Sequence, residues 1–590
     1  MPPSSLRVVY AFAREMHPKT TDVFIQYGTA GFRTKARLLE HVVYRMGLLA
    51  VIRSRCKNGR TIGMMITASH NLEPDNGVKL IDPDGEMLEE SWEEIATRLA
   101  NVSDNDLQST TEQIIREVNA DMALKASVYI GMDTRYTSPS LAAAAVHGVM
   151  ALKGTAKEFG IVTTPILHFC VKCRNDNTYG TPTEEGYYEK IVGAFKNIRQ
   201  MLPVAGNYNT TLYVDGANGV GGKKLNIIKK TLDGELDLVL FNLGGNGGKL
   251  NLNCGADFVK VSQKPPVGVE HVPYQRVASL DGDGDRLVYY YVDDSNNLHL
   301  LDGDRIATLL ASYITKLLKA CDATHLRLGL VQSAYANGAS TKYITDELKV
   351  PVTCVKTGVK HLHHAAMSYD VGVYFEANGH GTVVYSDLTK STIASVAQDG
   401  DTEQQKAAQL LLHFIDMTNE TVGDAISDLF LVETVLCARG HDVTQWMDTY
   451  ADLPCRQLKV TIEDRNAITT TDAERKCTSP EGLQGRIDES VSQYPSGRAF
   501  VRPSGTEDIV RVYAEAGTRE VSVASGLQCC QSVSQYPSGR AFVRPSGTED
   551  IVRVYAEAGT RESADKLAAE VAQAVFDMAG GVGDRPTVPA

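Results

Sequence analysis

The segment Asp281–Arg286 reads DGDGDR, so that three carboxylates alternate with two glycines. Glycine permits bends that turn alternate side chains toward one point. Three convergent carboxylates suit Mg²⁺, which keeps its other positions for water or phosphate oxygens. An EF-hand needs Gly where Arg286 stands, and a haloacid-type phosphatase needs Thr or Val where Asp285 stands. We therefore predict that Asp281, Asp283 and Asp285 bind Mg²⁺, the alternative being a solvated surface turn.

A second candidate is the segment Thr67–Asn71, TASHN, which follows the apolar run Ile62–Ile66. A serine at the end of a buried strand can act as a nucleophile when a base is near. His70 is adjacent to Ser69 and Lys79 could fold back, so both are candidate bases. The same pattern is also typical of a hydrogen-bonded turn. No G-x-S-x-G surrounds the serine, so an α/β-hydrolase is not supported.

A third motif has the composition of a phosphate-binding loop. A guanidinium, two hydroxyls and a glycine that exposes its backbone N–H can surround a phosphate, although they also suit a capped turn. The residues are Arg502, Ser504, Gly505 and Thr506, with Arg511 further on.

This third motif occurs twice, because residues 490–520 recur letter for letter at 532–562. The second set is Arg544, Ser546, Gly547, Thr548 and Arg553. Two identical copies indicate a recent duplication or an error in the coding model. Either copy could fill the single place in a domain, which would leave the other as a surplus strand or loop.

The elements that must position these residues follow a repeated pattern. Buried apolar runs end in polar, glycine-rich turns, at 62–66, 128–132, 212–214 and 238–241. The long intervals between the runs leave room for helices, which favours α/β layers with mainly parallel sheet and ligands beyond the carboxyl ends of strands. The last segment differs. Alternating Leu458, Val460 and Ile462, and a helical spacing from Leu567 to Met578, indicate a smaller α+β domain.

The bulk properties exclude several functions. The chain has 590 residues, which is enough for several domains, and a net charge of −13, which disfavours non-specific binding to nucleic acid. No apolar run is long enough to span a membrane. Eleven scattered cysteines favour a reducing, cytoplasmic location. The C-x-x-C pair at Cys170 and Cys173 has no second half of a zinc site, and we interpret it as incidental.

Taken together, the motifs resemble the α-D-phosphohexomutase superfamily, and more narrowly the phosphoacetylglucosamine mutase family. The closer resemblance is carried by the following segments: TASHN with DNGVKL (67–80), CGADFVK (254–260), TGVKHLHH (357–364) and EANGHGT (376–382). Glucose- and mannose-type relatives have a sugar loop built around G-E-x-S-G, where this chain has Asn378. The resemblance extends from about Gly28 to Gly580.

The resemblance implies three related α/β domains with mixed sheets and a smaller C-terminal α+β domain around a central cleft. We place the boundaries at 1–185, 186–300, 301–425 and 426–590. The domains would supply, in turn, the phosphoserine, the metal site, the sugar loop and the phosphate site.

The resemblance also assigns roles to residues. Ser69 would carry the phosphate and be a metal ligand beside the three aspartates. Arg286 would neutralise the transferring group, with Lys79 or His70 as the base. Further roles by position are sugar binding by Glu376, Asn378 and His380, phosphate binding by Arg502, Ser504, Gly505, Thr506 and Arg511, and cleft positions for Arg33 and Arg135.

The reaction implied is the interconversion of N-acetylglucosamine 6-phosphate and N-acetylglucosamine 1-phosphate, in UDP-N-acetylglucosamine biosynthesis. It would proceed through phosphoserine and a sugar bisphosphate, with one Mg²⁺ per site and sugar bisphosphate as activator. We expect a hexosamine phosphate as substrate and neither nucleic acid nor membrane as partner, and the sequence does not identify protein partners. The alternatives are an impaired sugar-phosphate binder, because the repeat falls on the phosphate loop, or a glucose or mannose phosphomutase.

Overall fold

The computed structural model describes residues 15–232, 234–245, 247–494, 497–503 and 551–587. The described chain divides into two compact units. Of the described residues, those within 1–331, 348–353 and 358–449 form the first unit, and those within 332–347, 354–357 and 450–590 form the second.

The first sheet carries the serine loop. Its order is β1-β3-β2-β4-β5, and the strands are β1 Phe32–Lys35, β2 Ile62–Ile66, β3 Asp75–Ile81, β4 Ser127–Met132 and β5 Thr155–Ile161. Strands β2, β4 and β5 run parallel, whereas β3 is antiparallel to β1 and β2. The accompanying helices are Glu40–Cys56, Glu90–Asn101, Leu107–Glu117, Ser138–Ala151 and Thr164–Asn175.

The second sheet carries the predicted metal loop. Its order is β10-β9-β8-β6-β7, and the strands are β6 Thr211–Asp215, β7 Asp237–Phe241, β8 Val277–Leu280, β9 Leu287–Val292 and β10 Leu298–Leu301. The helices of this region are Glu184–Met201, Val220–Ile228 and Ala256–Ser262. Strands β8 and β9 are antiparallel, so residues 281–286 form the connection of a hairpin whose strands are wholly buried.

The third sheet carries the predicted sugar loop in an equivalent hairpin. Its order is β12-β11-β13-β14, and the strands are β11 Leu328–Ser333, β12 Val352–Val355, β13 Val371–Phe375 and β14 Gly381–Tyr385. The helices between 303 and 447 are Gly303–Ala320, Gly338–Lys342, Val359–Ala366, Asp387–Asp399, Thr402–Met417, Ala425–Arg439 and Val443–Met447. The sheets are therefore mixed, and the antiparallel pairs depart from the mainly parallel sheet that the apolar runs indicate.

The second unit has the α+β character predicted from its residue spacing. Its antiparallel sheet has the order β15-β19-β18, with strands β15 Cys455–Thr461, β18 Arg498–Pro503 and β19 Ile551–Glu557. A small hairpin adds β16 Thr469–Thr471 and β17 Lys476–Ser479, and the α-helices described after residue 450 are Leu483–Ser492 and Arg561–Met578. Val460, Leu567 and Val571 share one core, as the periodicity predicts.

The duplicated segment contributes one strand from each copy to this sheet. Strand β18 belongs to the first copy and β19 to the second, and the two pair from Arg498 with Glu557 to Pro503 with Val552. We expected one copy to fill the place alone. The finding differs because the copies are identical, so either version of each strand satisfies the same register.

Candidate active site

The serine loop leaves the carboxyl end of β2 and directs its hydroxyl at the metal loop. Ser69 is fully buried, and its Oγ donates a hydrogen bond of 2.7 Å to Oδ2 of Asp281. Its backbone has φ +50°, in the left-handed region that a residue with a Cβ rarely adopts. The loop thus brings together, across 212 positions of sequence, two residues that the sequence analysis singled out separately.

Hydrogen bonds from buried polar groups hold this loop. The backbone N–H of Ser69 donates to Oγ1 of Thr67 at 2.9 Å, and that hydroxyl donates to Asp133 at 2.8 Å. Arg135 pairs with the same carboxylate at 2.9 Å and donates to the backbone carbonyls of the loop at 2.7–3.0 Å, these being the carbonyls of Ser69, Asn71, Leu72 and Asp75. Arg135 was predicted near the cleft, and its contacts are those of a buried support for the loop.

The metal loop has a geometry that fits a divalent cation. One oxygen from each of Asp281, Asp283 and Asp285 lies within 4.8 Å of the others, and all three residues are buried. The Oδ1 atoms of Asp283 and Asp285 are buried without a hydrogen-bond partner, an arrangement that is costly unless an ion or water satisfies it. Gly284 makes the turn possible with φ +75°.

Backbone groups fix the first of these carboxylates. Oδ1 of Asp281 accepts three backbone N–H groups at 3.0–3.2 Å, which belong to Gly284, Asp285 and Arg286. Burial and the charges of Asp285 and Asp283 raise the pKa of Asp281 well above its ordinary value. Three buried carboxylates therefore oppose each other, which a bound cation would relieve.

The candidate bases contact different members of this site. Nζ of Lys79 lies 3.1 Å from Oδ2 of both Asp283 and Asp285. Burial alone would lower the pKa of Lys79, but these two carboxylates outweigh burial and raise it. Nδ1 of His70 lies 3.5 Å from Oγ of Ser69. Arg33, on β1, is close enough for its positive charge to oppose part of this rise in the pKa of Lys79.

The sugar loop, between β13 and β14, meets the metal loop directly. His380 is buried and its Nδ1 lies 3.4 Å from Oδ1 of Asp285. Within the loop, the Asn378 side chain accepts the His380 backbone N–H at 2.9 Å and donates to Oε2 of Glu376 at 3.2 Å. The Leu287 backbone N–H, at the end of the metal loop, donates to the carbonyl of Gly379 at 3.0 Å.

Arg286 completes the metal loop from its last position. Its side chain is mostly buried, with Nη1 3.6 Å from Oδ1 of Asp257 and Nε 3.9 Å from Oδ1 of Asp285. The predicted serine, metal and sugar residues therefore lie together in the first unit.

The predicted phosphate loop is described only in part. Nε of Arg502 donates to the hydroxyl of Tyr335 at 3.0 Å, and Nη1 lies 3.5 Å from Glu474. The backbone of Arg553 pairs with Arg502 in the sheet. The other predicted residues, Ser504, Gly505, Thr506, Arg511, Arg544, Ser546, Gly547 and Thr548, lie outside the described residues.

Two contacts at the site were missed by sequence reasoning. Thr164 donates from Oγ1 to Oδ2 of Asp283 at 2.6 Å, and its backbone N–H donates to the Asp283 carbonyl at 3.0 Å. Asn251 donates from Nδ2 to the backbone carbonyl of Ser69 at 2.8 Å. The Thr-Thr-Pro sequence at 163–165 signals a helix start, but no local pattern reveals what that helix start contacts.

Two features predicted from the sequence lie outside the site. Cys170 and Cys173 are buried in the helix Thr164–Asn175, and burial raises the pKa of the Cys173 thiol to about 12. Burial also raises the pKa of Cys170, so neither thiol is activated as a thiolate. Among the described helices, none combines the length and apolarity that crossing a membrane requires.

Family models match most of the chain. Residues 177–288 and 302–441 match "Phosphoacetylglucosamine mutase AMG1", domains II and III. Residues 43–106 and 102–179 match the alpha/beta/alpha domain I of phosphoglucomutase/phosphomannomutase, and 466–523 and 533–574 match the C-terminal domain of the same family.

Whole-chain relatives agree with these matches. Phosphoacetylglucosamine mutase of Sus scrofa is 48% identical over 571 residues, which are 97% of this chain and 97% of the relative. The structure of Aspergillus fumigatus N-acetylphosphoglucosamine mutase with GlcNAc-6P and magnesium has a TM-score of 0.86 at 43% identity, covering 98% of this chain and 100% of that one. A second structure of that fungal enzyme, with glucose 1,6-bisphosphate, has a TM-score of 0.86 at 42% identity and the same coverage. The chain thus belongs to the phosphoacetylglucosamine mutase family.

Proposed function

We propose that this chain interconverts N-acetylglucosamine 6-phosphate and N-acetylglucosamine 1-phosphate through a phosphoserine at Ser69 and a sugar bisphosphate. The observation that carries the proposal is the 2.7 Å hydrogen bond from Ser69 to Asp281, within a cluster of three buried carboxylates. A hydroxyl aimed at a cation site is suited to carrying a phosphoryl group whose charge the cation neutralises.

Asp281, Asp283 and Asp285 would hold Mg²⁺ together with an oxygen of phosphorylated Ser69. When bound, the ion neutralises charge on the transferring phosphoryl group. Two observations support this assignment: the Oδ1 atoms of Asp283 and Asp285, which are buried without a hydrogen-bond partner, and the fungal relative that was crystallised with magnesium. Arg286, next in the chain, adds a fixed positive charge beside them.

The chain's own groups carry out the transfer. The bond between phosphorus and Oγ of Ser69 breaks while a bond to a sugar hydroxyl forms, and the hydroxyl proton passes to a base. The candidates are Lys79, which pairs with the metal-loop carboxylates, and His70, which lies beside the serine oxygen. The bisphosphate then turns round and returns its other phosphate to Ser69. Buried surroundings keep water from the phosphoserine.

The sugar loop is proposed to select the acetylated substrate. Glu376, Asn378 and His380 would bind the sugar hydroxyls and the acetamide, since the amide of Asn378 can both donate to and accept from an N-acetyl group. For the non-reacting phosphate we propose Arg502, with Ser504, Gly505, Thr506 and Arg511 or their copies Arg544, Ser546, Gly547, Thr548 and Arg553. Sugar bisphosphate would act as activator by phosphorylating Ser69.

The proposed product is the sugar 1-phosphate from which UDP-N-acetylglucosamine is made. We expect the reaction in the cytoplasm, on the strength of the odd number of cysteines and their scattered positions in the sequence.

The deciding experiment compares turnover of N-acetylglucosamine 6-phosphate and glucose 6-phosphate, with Mg²⁺ and a trace of glucose 1,6-bisphosphate. We expect strong preference for the acetylated sugar and no turnover by Ser69→Ala. Equal turnover of both sugars would indicate a glucose or mannose phosphomutase instead.

The impaired alternative is tested by a deletion that the sheet register suggests. Removing residues 504–545 joins Pro503 to Ser546, so that five residues, 546–550, connect β18 to β19, a common length for a hairpin loop. Activity that appears only in this deletion variant would show that the repeat disables the 590-residue chain. Equal activity in both would show that the repeat is tolerated.

A further inference from the structure

The backbone of Ser69 is held in a conformation that it would not choose alone. Its φ of +50° brings the Cβ of an L-residue close to its own backbone. Residues in such conformations persist only where the surroundings over-determine them. The groups that hold the serine carbonyl therefore decide where its hydroxyl points.

Two side chains donate hydrogen bonds to the same pair of backbone carbonyls in this loop. Arg135 donates to the carbonyls of Ser69 and Asn71 at 3.0 and 2.7 Å. Asn251 donates from Nδ2 to the same two carbonyls, at 2.8 and 3.0 Å. Arg135 follows β4 of the first sheet, whereas Asn251 lies between β7 and the helix Ala256–Ser262 of the second region. The serine is thus held from both the first and the second sheet regions.

Asn251 is itself fixed in place. Its backbone N–H donates to the carbonyl of Ala217 at 3.0 Å, and its φ is +57°. Gly282 of the metal loop packs against the contact so closely that a Cβ there would lie 2.6 Å from the Ser69 carbonyl and 2.8 Å from Nδ2 of Asn251. The serine loop, the metal loop and Asn251 therefore meet at one point with no space between them.

We propose that Asn251 is a positioning residue that keeps Ser69 aimed at Asp281 during phosphoryl transfer. The inference rests on the proposed function for its catalytic consequence, and on geometry alone for its structural consequence. Asn251 does not touch the reacting atoms, and it acts through the carbonyls of Ser69 and Asn71. Loss of its two hydrogen bonds frees the strained loop to relax, which moves the Ser69 hydroxyl away from the carboxylates.

The test uses Asn251→Ala and Asn251→Asp, with Asn253→Asp as the matched control. Asn253 is an exposed residue of the same loop, also at positive φ (+56°). We expect Asn251→Ala to lower kcat about 100-fold, the scale of a displacement of about 1 Å, with KM for N-acetylglucosamine 6-phosphate within about threefold. Asn251→Asp should be at least as impaired, because its carboxylate faces two carbonyls. The control should keep kcat within about twofold.

Hydrogen exchange separates this proposal from the proposed function. Backbone amides from Thr67 to Asn71 should exchange about tenfold faster in both Asn251 variants and at the parental rate in Asn253→Asp, whether or not the chain turns over sugar. Unchanged exchange, or a kcat within twofold of the parent in Asn251→Ala, would overturn the positioning role. Faster exchange in a chain without any turnover would refute the proposed function and leave the positioning role standing.

Discussion

The metal loop and the sugar loop are both hairpin connections in the first unit, yet they satisfy their polar atoms in different ways. In the sugar loop, Asn378 bonds to Glu376 and to the backbone of His380, and the buried atom left without a hydrogen-bond partner is a ring nitrogen, Nε2 of His380. In the metal loop, Oδ1 of Asp281 accepts three backbone N–H groups, whereas Asp283 and Asp285 each keep a buried carboxylate oxygen without a hydrogen-bond partner.

This difference indicates separate tasks. Buried, unsatisfied charge is unfavourable for folding and is retained where a cation or a transition state uses it. A loop whose amide side chain is held by hydrogen bonds within the loop keeps its shape without ligand and is suited to choosing among substrates. We therefore expect metal-loop changes to lower the rate with every sugar, and sugar-loop changes to alter the preference between sugars.

The largest expected effect comes from Asp283→Asn. Removing this charge from the cluster should lower kcat about 10³-fold for acetylated and plain sugars alike, on the scale of losing a group that stabilises transition-state charge. Steady-state kinetics with both sugars measure it, and the exposed Asp322→Asn is the control. Mg²⁺ should raise the Tm of the parent and not that of Asp283→Asn. A loss confined to one sugar would refute the division of tasks.

Gly379→Ala should disturb both loops at once, because the carbonyl of Gly379 in the sugar loop accepts a hydrogen bond from Leu287 at the end of the metal loop. Gly379 has φ +85°, and a Cβ there would lie 2.0 Å from the Leu287 carbonyl. We expect destabilisation of about 3 kcal/mol with loss of both rate and preference. Urea unfolding measures the destabilisation.

The control is Gly193→Ala, on the helix Glu184–Met201 with open space around it, which should stabilise the chain by up to about 1 kcal/mol. If Gly379→Ala changes the rate without the sugar preference, or the preference without the rate, the two loops are not coupled.

Asn378→Ser should sharpen the comparison. It shortens the side chain that lies between Glu376 and His380 and removes the amide proposed to meet the acetyl group. The ratio of kcat/KM for acetylated over plain sugar should fall about tenfold, while the Mg²⁺ dependence stays that of the parent. Competition assays with both sugar phosphates measure the ratio. If instead kcat falls equally for both sugars, Asn378 does not select the substrate.

The smallest expected effect is a dependence of stability on pH that arises in the helix Thr164–Asn175, which contacts the metal loop. Thr164 at the start of this helix bonds to Asp283, and four residues on, burial lowers the pKa of His168 to about 3. Below about pH 6.5, His168 binds a proton in the unfolded chain but stays neutral in the folded chain. The contribution of His168 to the free energy of unfolding is therefore fully present above that pH and falls below it. His168 should contribute a loss of about 1.4 kcal/mol per pH unit.

Urea unfolding at pH 7.5 and 5.5 tests this expectation. His168→Gln should flatten the dependence by the contribution of one group, and the exposed His325→Gln should leave it unchanged. An identical slope in the parent and His168→Gln would show that this imidazole titrates normally.

Much of the fold follows from local sequence. The runs at 62–66, 128–132, 212–214 and 238–241 are strands or lie within strands, because buried β-strands need short apolar segments ended by turns. The spacing from Leu567 to Met578 likewise gives the helix Arg561–Met578. The domain boundaries we placed remain predictions.

The candidate site was predictable where one motif supplies its own chemistry, as in the alternating aspartates. It was not predictable where a side chain acts at a distance in sequence. Arg135 carries no local sign that it supports the serine loop, and Asn251 contacts Ser69 across 182 positions. The shared sheet of β18 and β19 was equally hidden, because identical copies offer no sequence difference on which pairing could depend.

The hydrogen bond between Ser69 and Asp281 has a thermodynamic consequence. Oδ1 of Asp281 is committed to three backbone N–H groups, so Oδ2, which now accepts the serine proton, is the oxygen left for a cation. The Ser69 hydroxyl and the ion therefore compete for the lone pairs of Oδ2 of Asp281. Phosphorylation removes that proton and adds anionic oxygens, so it should tighten ion binding. By linkage, the ion must favour the phosphorylated serine by the same factor, which makes occupancy of the metal loop and the charge state of Ser69 two readouts of a single equilibrium.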